Sequence, residues 1–221
     1  MQEALGPELA GRVVRNPRIA IDYLAMRVPS MTQVYRRLQG IVHEVISAAF
    51  SNLVIMPGET TTEDVVWWMR QRLNDLGLQT WFHPSVSAQR RGVASDELGD
   101  SPVIERGDVL HCDFGITAMG LNTDTQHMAY VLRDGETDAP EGLQVALERA
   151  KRFQDILLEE TKVGMSGNAV LEAVLAEMQA EGLDGTMYSH PIGDHGHGAG
   201  PLIGLWDYQE GVPGRGDVPV I

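Results

Sequence analysis

Residues 107–132 read GDVLHCDFGITAMGLNTDTQHMAYVL, and this stretch decides how the whole chain is interpreted. An apolar run ends at Asp113, a turn containing glycine follows, and a second apolar run begins near Asp124. Such a pattern predicts a β-hairpin with strands over about 108–116 and 123–132. The two aspartates, eleven residues apart, would then lie at facing ends of the strands.

Two carboxylates held close together repel each other, so a positive charge should lie between them. A metal ion is the simplest candidate. Strand alternation places Asp113 on the face opposite Cys112. The bland alternative for Asp113 is a turn-capping acid, and it stays open for that residue alone. Cys112, the only cysteine, is interpreted as a small buried hydrophobe and not as a nucleophile.

A second candidate segment, residues 190–201, contains three of the seven histidines among glycines and prolines. His190, His195 and His197 are its imidazoles, and glycine lets the backbone approach a ligand closely. Neutral imidazoles and carboxylates are metal ligands. A set rich in oxygen with one nitrogen favours manganese, iron, cobalt or zinc over copper.

The charge and composition of the chain limit the kinds of partner and the cellular compartment that we expect. The chain has 221 residues and a formal charge of −14, which argues against nucleic acid or an anionic membrane as the partner. A single cysteine permits no disulfide within the chain and fits a reducing compartment. No signal-peptide pattern and no apolar run of eighteen residues occurs, so a cytoplasmic location is expected.

The remaining patterns predict an α+β domain with a largely antiparallel sheet covered by helices. Amphipathic periodicity predicts four helices. The first is capped by Ser30 or Thr32, the second follows residues 60–64, and the last is capped by Ser166. The third, over about 141–161, should bury Leu143, Ala146, Leu147, Ala150, Phe153 and Leu157. Short strands are predicted over 80–86 and 186–189.

At these residues the sequence resembles the pita-bread metallopeptidases: methionine aminopeptidase, Xaa-Pro aminopeptidase, prolidase and creatinase. It most resembles a bacterial Xaa-Pro aminopeptidase-like branch, over roughly residues 30–221. The metal aspartates of the family match Asp113, after the turn Gly107-Asp108, and Asp124, before Thr125. The metal histidine of the family lies in a Gly-His-Gly-x-Gly segment, which matches His197 within residues 196–200.

The resemblance implies a site with two divalent ions (manganese, cobalt, iron or zinc, with manganese favoured) that activates water. The implied substrate is a peptide cleaved at its N-terminal bond, with Xaa-Pro peptides expected. Asp113, Asp124 and His197 would be metal ligands. His195 or His190 would orient the substrate or leaving group. The resemblance also allows a homodimer.

The sequence departs from the family pattern in two ways. The family has two further glutamate ligands beyond the metal histidine, whereas residues 198–221 contain only Glu210. Arg91 and Trp206 stand near the positions of two auxiliary histidines. We therefore expect residues 30–221 to form a catalytic domain that lacks its C-terminal strands, preceded by a leader or remnant at 1–29.

Three functional hypotheses follow. The first is a metallo-aminopeptidase of Xaa-Pro type. The second is a pita-bread binding or scaffold protein without hydrolysis, which the departures would permit. The third is a pita-bread enzyme with other chemistry, such as a lyase or an amidinohydrolase.

Overall fold

The computed structural model describes residues 2–193 and 196–221. Its helices are α1 (Gln2–Ala10), α2 (Arg18–Ala25), α3 (Pro29–Ala49), α4 (Thr62–Asp75), α5 (Ser95–Leu98), α6 (Glu141–Glu160) and α7 (Gly167–Ala180). The strands are β1 (Ser85–Gln89), β2 (Val109–Phe114), β3 (Thr117–Ala118), β4 (Leu121–Asn122), β5 (Thr125–Tyr130), β6 (Ile192–Gly193) and β7 (Gly196–His197). All the strand pairs are antiparallel. The predicted α+β class is therefore confirmed. None of the helices described is long and apolar enough to cross a membrane.

The predicted hairpin is present, with β2 at the centre of a three-stranded sheet ordered β1-β2-β5. A smaller hairpin, β3 with β4, is inserted between its two long strands. Asp113 lies opposite Ser85 on one side and Gln126 on the other. Asp124 immediately precedes β5. The insertion thus carries the chain from one acid at a strand end to the other at a strand start.

The strand predicted over 80–86 is wrong in its first part, because β1 begins only at Ser85. Thr80 instead donates a hydrogen bond from its hydroxyl to the carbonyl of Phe82 (2.6 Å), which closes a local turn. Pro84 has no N–H to contribute to a strand ladder. A pattern of β-favouring residues therefore does not make a strand here.

The first core lies between the sheet and helices α3 and α4. Leu110, Cys112 and Phe114 alternate inward from β2 and are buried. Helix α4 begins with the predicted capping box, in which Thr61 and Asp64 bond to each other's backbone N–H groups. The predicted cap of α3 is wrong: that helix begins at Pro29, without a side-chain cap. Proline suits the first helical position because its missing N–H would have no helical partner there.

A second core lies between α6, α7 and the segment that carries the histidines. Its buried residues are Ile156, Val170, Leu171, Val174, Met178, Met187 and Ile203. Ser166 caps α7 as predicted, by accepting a hydrogen bond from the N–H of Ala169. The strand predicted over 186–189 is reduced to one bridge, from Ser189 to Ile203.

The inward face predicted for α6 is only partly correct. Phe153 and Leu157 pack against the second core, but Leu143, Ala146, Leu147 and Ala150 are exposed. Helical periodicity identifies an apolar stripe, whereas tertiary packing decides how much of that stripe is covered.

The two cores meet where Trp81 contacts both the hairpin insertion and strand β7. Its indole N–H donates to the carbonyl of Thr123 (2.8 Å). A Cβ atom added to Gly196 would lie 2.3 Å from the Trp81 ring, so only glycine allows this approach. Nearby, the buried Asn122 amide donates to the carbonyl of Gly193. Contacts between distant parts of the sequence therefore join the segments that carry Asp124 and His197.

The start of β2 is fixed by a buried ion pair that the sequence analysis did not identify. Asp108 is fully buried, and both its oxygens accept hydrogen bonds from Arg90, each at 2.8 Å. The N–H of Glu105 also donates to Asp108 (2.8 Å), and Arg90 reaches the carbonyl of Val103. This network anchors the turn that leads into the strand carrying Asp113.

Replacing Arg90 with alanine should lower the free energy of unfolding by about 3 kcal/mol, because a buried carboxylate would lose its charged partner. Chemical denaturation measures this loss. The matched control is Arg91→Ala, which removes an exposed guanidinium from the next residue and should change stability by no more than about 0.5 kcal/mol. Equal effects of the two substitutions would contradict a structural role for the Arg90–Asp108 pair.

Replacing Gly196 with alanine should destabilise the chain more than the same change at Gly135. Both glycines have nearly the same backbone angle, φ +87° and +85°, but a Cβ at Gly135 meets nothing within 4 Å. The strained backbone alone should cost about 1–2 kcal/mol at either site. Overlap with Trp81 should add about 1–3 kcal/mol at Gly196. Comparable unfolding midpoints would show that the close approach to Trp81 is unimportant.

Candidate metal centre

The two predicted metal aspartates come together at the edge of the sheet. Asp113 is at the penultimate position of β2, and Asp124 directly precedes β5. Burial, followed by the charge of Asp124, raises the pKa of Asp113. This is the electrostatic cost that the sequence analysis anticipated for two adjacent carboxylates.

One oxygen of Asp113 is left without a protein partner. The Oδ2 atom accepts a long hydrogen bond from the Gln126 side chain (3.3 Å). The Oδ1 atom is buried and has no hydrogen-bond partner among the described residues. Buried carboxylate oxygens are rarely left unsatisfied, because the loss of hydration is costly. This unsatisfied oxygen is suited to binding a cation.

Two of the predicted histidines converge on the other aspartate. Nε2 of His197 lies 3.3 Å from Oδ2 of Asp124, and Nε2 of His190 lies 3.6 Å from the same oxygen. Ligand atoms of these three residues all lie within 4.8 Å of one another. His190 and Asp124 are largely buried, whereas the His197 side chain is 54% exposed. The site is therefore closed on one side and open on the other.

Aromatic rings flank the imidazoles. The His190 and His197 rings are 3.9 Å apart between centroids. Trp81 lies 5.4 Å from His197 at a steep angle, and Tyr188 lies 5.4 Å from His190. Sequence reasoning missed Trp81, Tyr188 and Gln126, because nothing in the local pattern shows that they adjoin the histidines or the acids of the site.

Four other residues that the sequence analysis singled out have different outcomes. His195 lies outside the described residues, so its role stays a prediction. Cys112 is fully buried, and burial raises its pKa to about 11, which keeps the thiol protonated and unreactive near neutral pH. Arg91 and Trp206, near the positions of the auxiliary histidines, are both exposed.

The donor set fits divalent ions. Carboxylate oxygens and unprotonated imidazole nitrogens are ligands for manganese, iron, cobalt and zinc. Asp113 and Asp124 would serve as oxygen ligands, and His197 as a nitrogen ligand. Among the described contacts, no lysine or arginine pairs with Asp113 or Asp124. This lack of a positive side chain also favours a bound cation.

Comparison with known proteins supports the same fold. Residues 33–217 match the family Peptidase_M24, metallopeptidase family M24. No curated protein matches the sequence. Among solved structures, X-Pro aminopeptidase from Thermotoga maritima is 16% identical with a TM-score of 0.63. The match covers 89% of this chain and 54% of that one.

Two further structures agree. Prolidase from Pyrococcus furiosus is 18% identical with a TM-score of 0.60, and the match covers 86% of this chain and 55% of that one. Methionine aminopeptidase from Thermotoga maritima is 22% identical with a TM-score of 0.51, and the match covers 79% of this chain and 70% of that one. The chain thus spans about half the length of the first two structures.

These similarities confirm the pita-bread fold that the family resemblance implied. The family match covers most of the chain and includes Asp113, Asp124, His190 and His197. The chain belongs to metallopeptidase family M24.

Proposed function

We propose that the chain is part of a metal-dependent aminopeptidase that hydrolyses the N-terminal peptide bond of Xaa-Pro peptides. The observation that carries this proposal is the convergence of Asp113, Asp124, His190 and His197, with one buried Asp113 oxygen left unsatisfied. The names of the similar solved structures, X-Pro aminopeptidase and prolidase, support the choice of substrate class.

The proposed centre holds two divalent ions, with manganese expected from the family resemblance. Asp113 and Asp124 would hold them through carboxylate oxygens, and His197 through Nε2. Two divalent cations held by carboxylates supply, when bound, a hydroxide nucleophile at neutral pH and stabilise the oxyanion of acyl hydrolysis.

The protein's own contribution is positioning and access. The Trp81 indole holds the backbone at Thr123, which fixes the residue preceding Asp124. The exposed imidazole of His197 marks the open side, from which we propose that the peptide enters. The exposed ring of Tyr188 lies 5.4 Å from the His190 ring and offers an apolar surface to a substrate such as proline.

Replacing Asp124 with alanine should reduce hydrolysis of Xaa-Pro dipeptides by at least about 10³-fold, because the ligand shared by the centre is removed. Metal content, measured on the same preparations after equilibration with Mn²⁺, should fall with it. The control is Asp155→Ala, which removes an exposed carboxylate from α6 and should leave both quantities unchanged. Undiminished turnover in the Asp124 variant would refute the assignment.

A second candidate is a pita-bread protein that binds peptides without hydrolysing them. It is favoured by Arg91 and Trp206, which stand near the auxiliary histidine positions of the family. Metal and peptide binding without turnover would support this candidate. A panel that adds guanidino compounds to the peptides separates the peptidase from an amidinohydrolase or a lyase.

We also propose a cytoplasmic location, since the single cysteine is buried and reduced. Peptides are proposed as the main partner. The formal charge of −14 disfavours nucleic acid and anionic membranes. A homodimer is consistent with the family resemblance, and sedimentation of the purified chain tests it.

A further inference from the structure

The family pattern supplies one imidazole to the metal centre, at His197, but the structure brings a second imidazole to the same carboxylate. Nε2 of His190 lies 3.6 Å from Oδ2 of Asp124, and His190 is the more buried of the two histidines, at 18% against 54% exposure. A largely covered ring beside a largely covered carboxylate needs a physical reason, because both groups have lost most of their hydration.

The orientation of the His190 ring indicates which nitrogen is available. Its Nδ1 lies 3.2 Å from the backbone carbonyl of Pro191, where only an N–H can donate. In the neutral form of the ring the lone pair is then on Nε2, the nitrogen that faces Asp124. Metal-bound histidines commonly donate their second ring nitrogen to a carbonyl in this way, which fixes the tautomer.

A lone pair and a carboxylate oxygen cannot attract each other without a proton or a cation between them. The separations match a shared ion. Bonds of about 2.1 Å at a tetrahedral zinc place neighbouring ligand atoms about 3.4 Å apart. The two nitrogen-to-oxygen distances are 3.3 and 3.6 Å, and the three ligand atoms lie within 4.8 Å of one another.

We propose that His190 is a metal ligand, so that Asp124, His190 and His197 form a site of two imidazoles and one carboxylate. This inference rests on the metal centre of the proposed function and assigns to His190 a role different from substrate orientation. Two nitrogen ligands favour zinc, cobalt or iron at this position over manganese. Asp113 then contributes to the neighbouring position through its free oxygen.

The first test measures the affinity of the metal-free 221-residue chain for Zn²⁺ and Mn²⁺ by calorimetry. His190→Ala should weaken Zn²⁺ binding by at least about 100-fold, the upper range for loss of a supporting residue in such sites. The same substitution should weaken Mn²⁺ binding less, so the ratio of the Zn²⁺ affinity to the Mn²⁺ affinity should fall. The control is His83→Ala, an exposed histidine bonded to Arg70, which should leave both affinities unchanged.

The second test replaces His190 with cysteine and adds Co²⁺. A thiolate bound to cobalt produces a charge-transfer absorption band that no merely structural residue would produce. His83→Cys should give no band. The native Cys112 should also be silent, because it is fully buried and its pKa is raised to about 11. Circular dichroism of each metal-free variant shows that it is folded, and if His190→Ala unfolds, the cobalt spectrum decides.

The outcomes separate this inference from the proposed function. Loss of Zn²⁺ binding in His190→Ala, or a cobalt–thiolate band in His190→Cys, supports His190 as a ligand. Normal binding in His190→Ala with no such band, while His197→Ala and Asp124→Ala lose the metal, overturns this inference alone and leaves His190 as an ion-pair partner of Asp124. Unchanged binding in all three alanine variants refutes the metal centre itself.

Discussion

The main physical constraint on this structure is the electrostatic cost of holding two carboxylates close together where they are partly buried. Burial and the charge of Asp124 both raise the pKa of Asp113, so the fold disfavours ionisation of Asp113. Neither strand pairing nor apolar packing relieves this cost. A bound cation relieves it directly, and in a protein with a formal charge of −14 such a cation also reduces the general repulsion. A cation bound at the proposed centre would therefore couple metal binding to folding.

The scaffold maintains this arrangement by tying two cores together at the site. The first core holds β2 and so Asp113, and the Arg90–Asp108 pair fixes where that strand begins. The second core holds the segment that leads to His190. Trp81 bonds to the backbone before Asp124 and packs against Gly196 and His197. Partial unfolding of either core would separate the aspartates from the histidines, so an intact site requires both cores to be folded.

Sequence reasoning succeeded where the signal was local. It identified Asp113 near the end of β2, Asp124 before β5, the Thr61 capping box and the Ser166 cap. Each of these lies within a few residues of the structure that it determines. It failed where the partner was remote. The pattern around Arg90 does not show that Asp108 will be buried beside it, and the apolar stripe of α6 does not show which of its turns will be covered. The approach of His190 to Asp124 joins residues far apart in sequence, and only the packing of the two cores brings them together.

The geometry of the imidazoles also explains why the site is asymmetric. His190 is largely buried and bonds to a backbone carbonyl, so its position is determined by the fold. His197 lies on a two-residue strand that only glycines allow to pass close to Trp81, and more than half of its side chain faces solvent. The proposed metal centre would thus combine a largely buried ligand with an accessible one, which suits an ion that binds tightly and still exchanges water for substrate. Gly196 therefore matters to the proposed centre, because a side chain there would overlap Trp81, the ring that packs against His197.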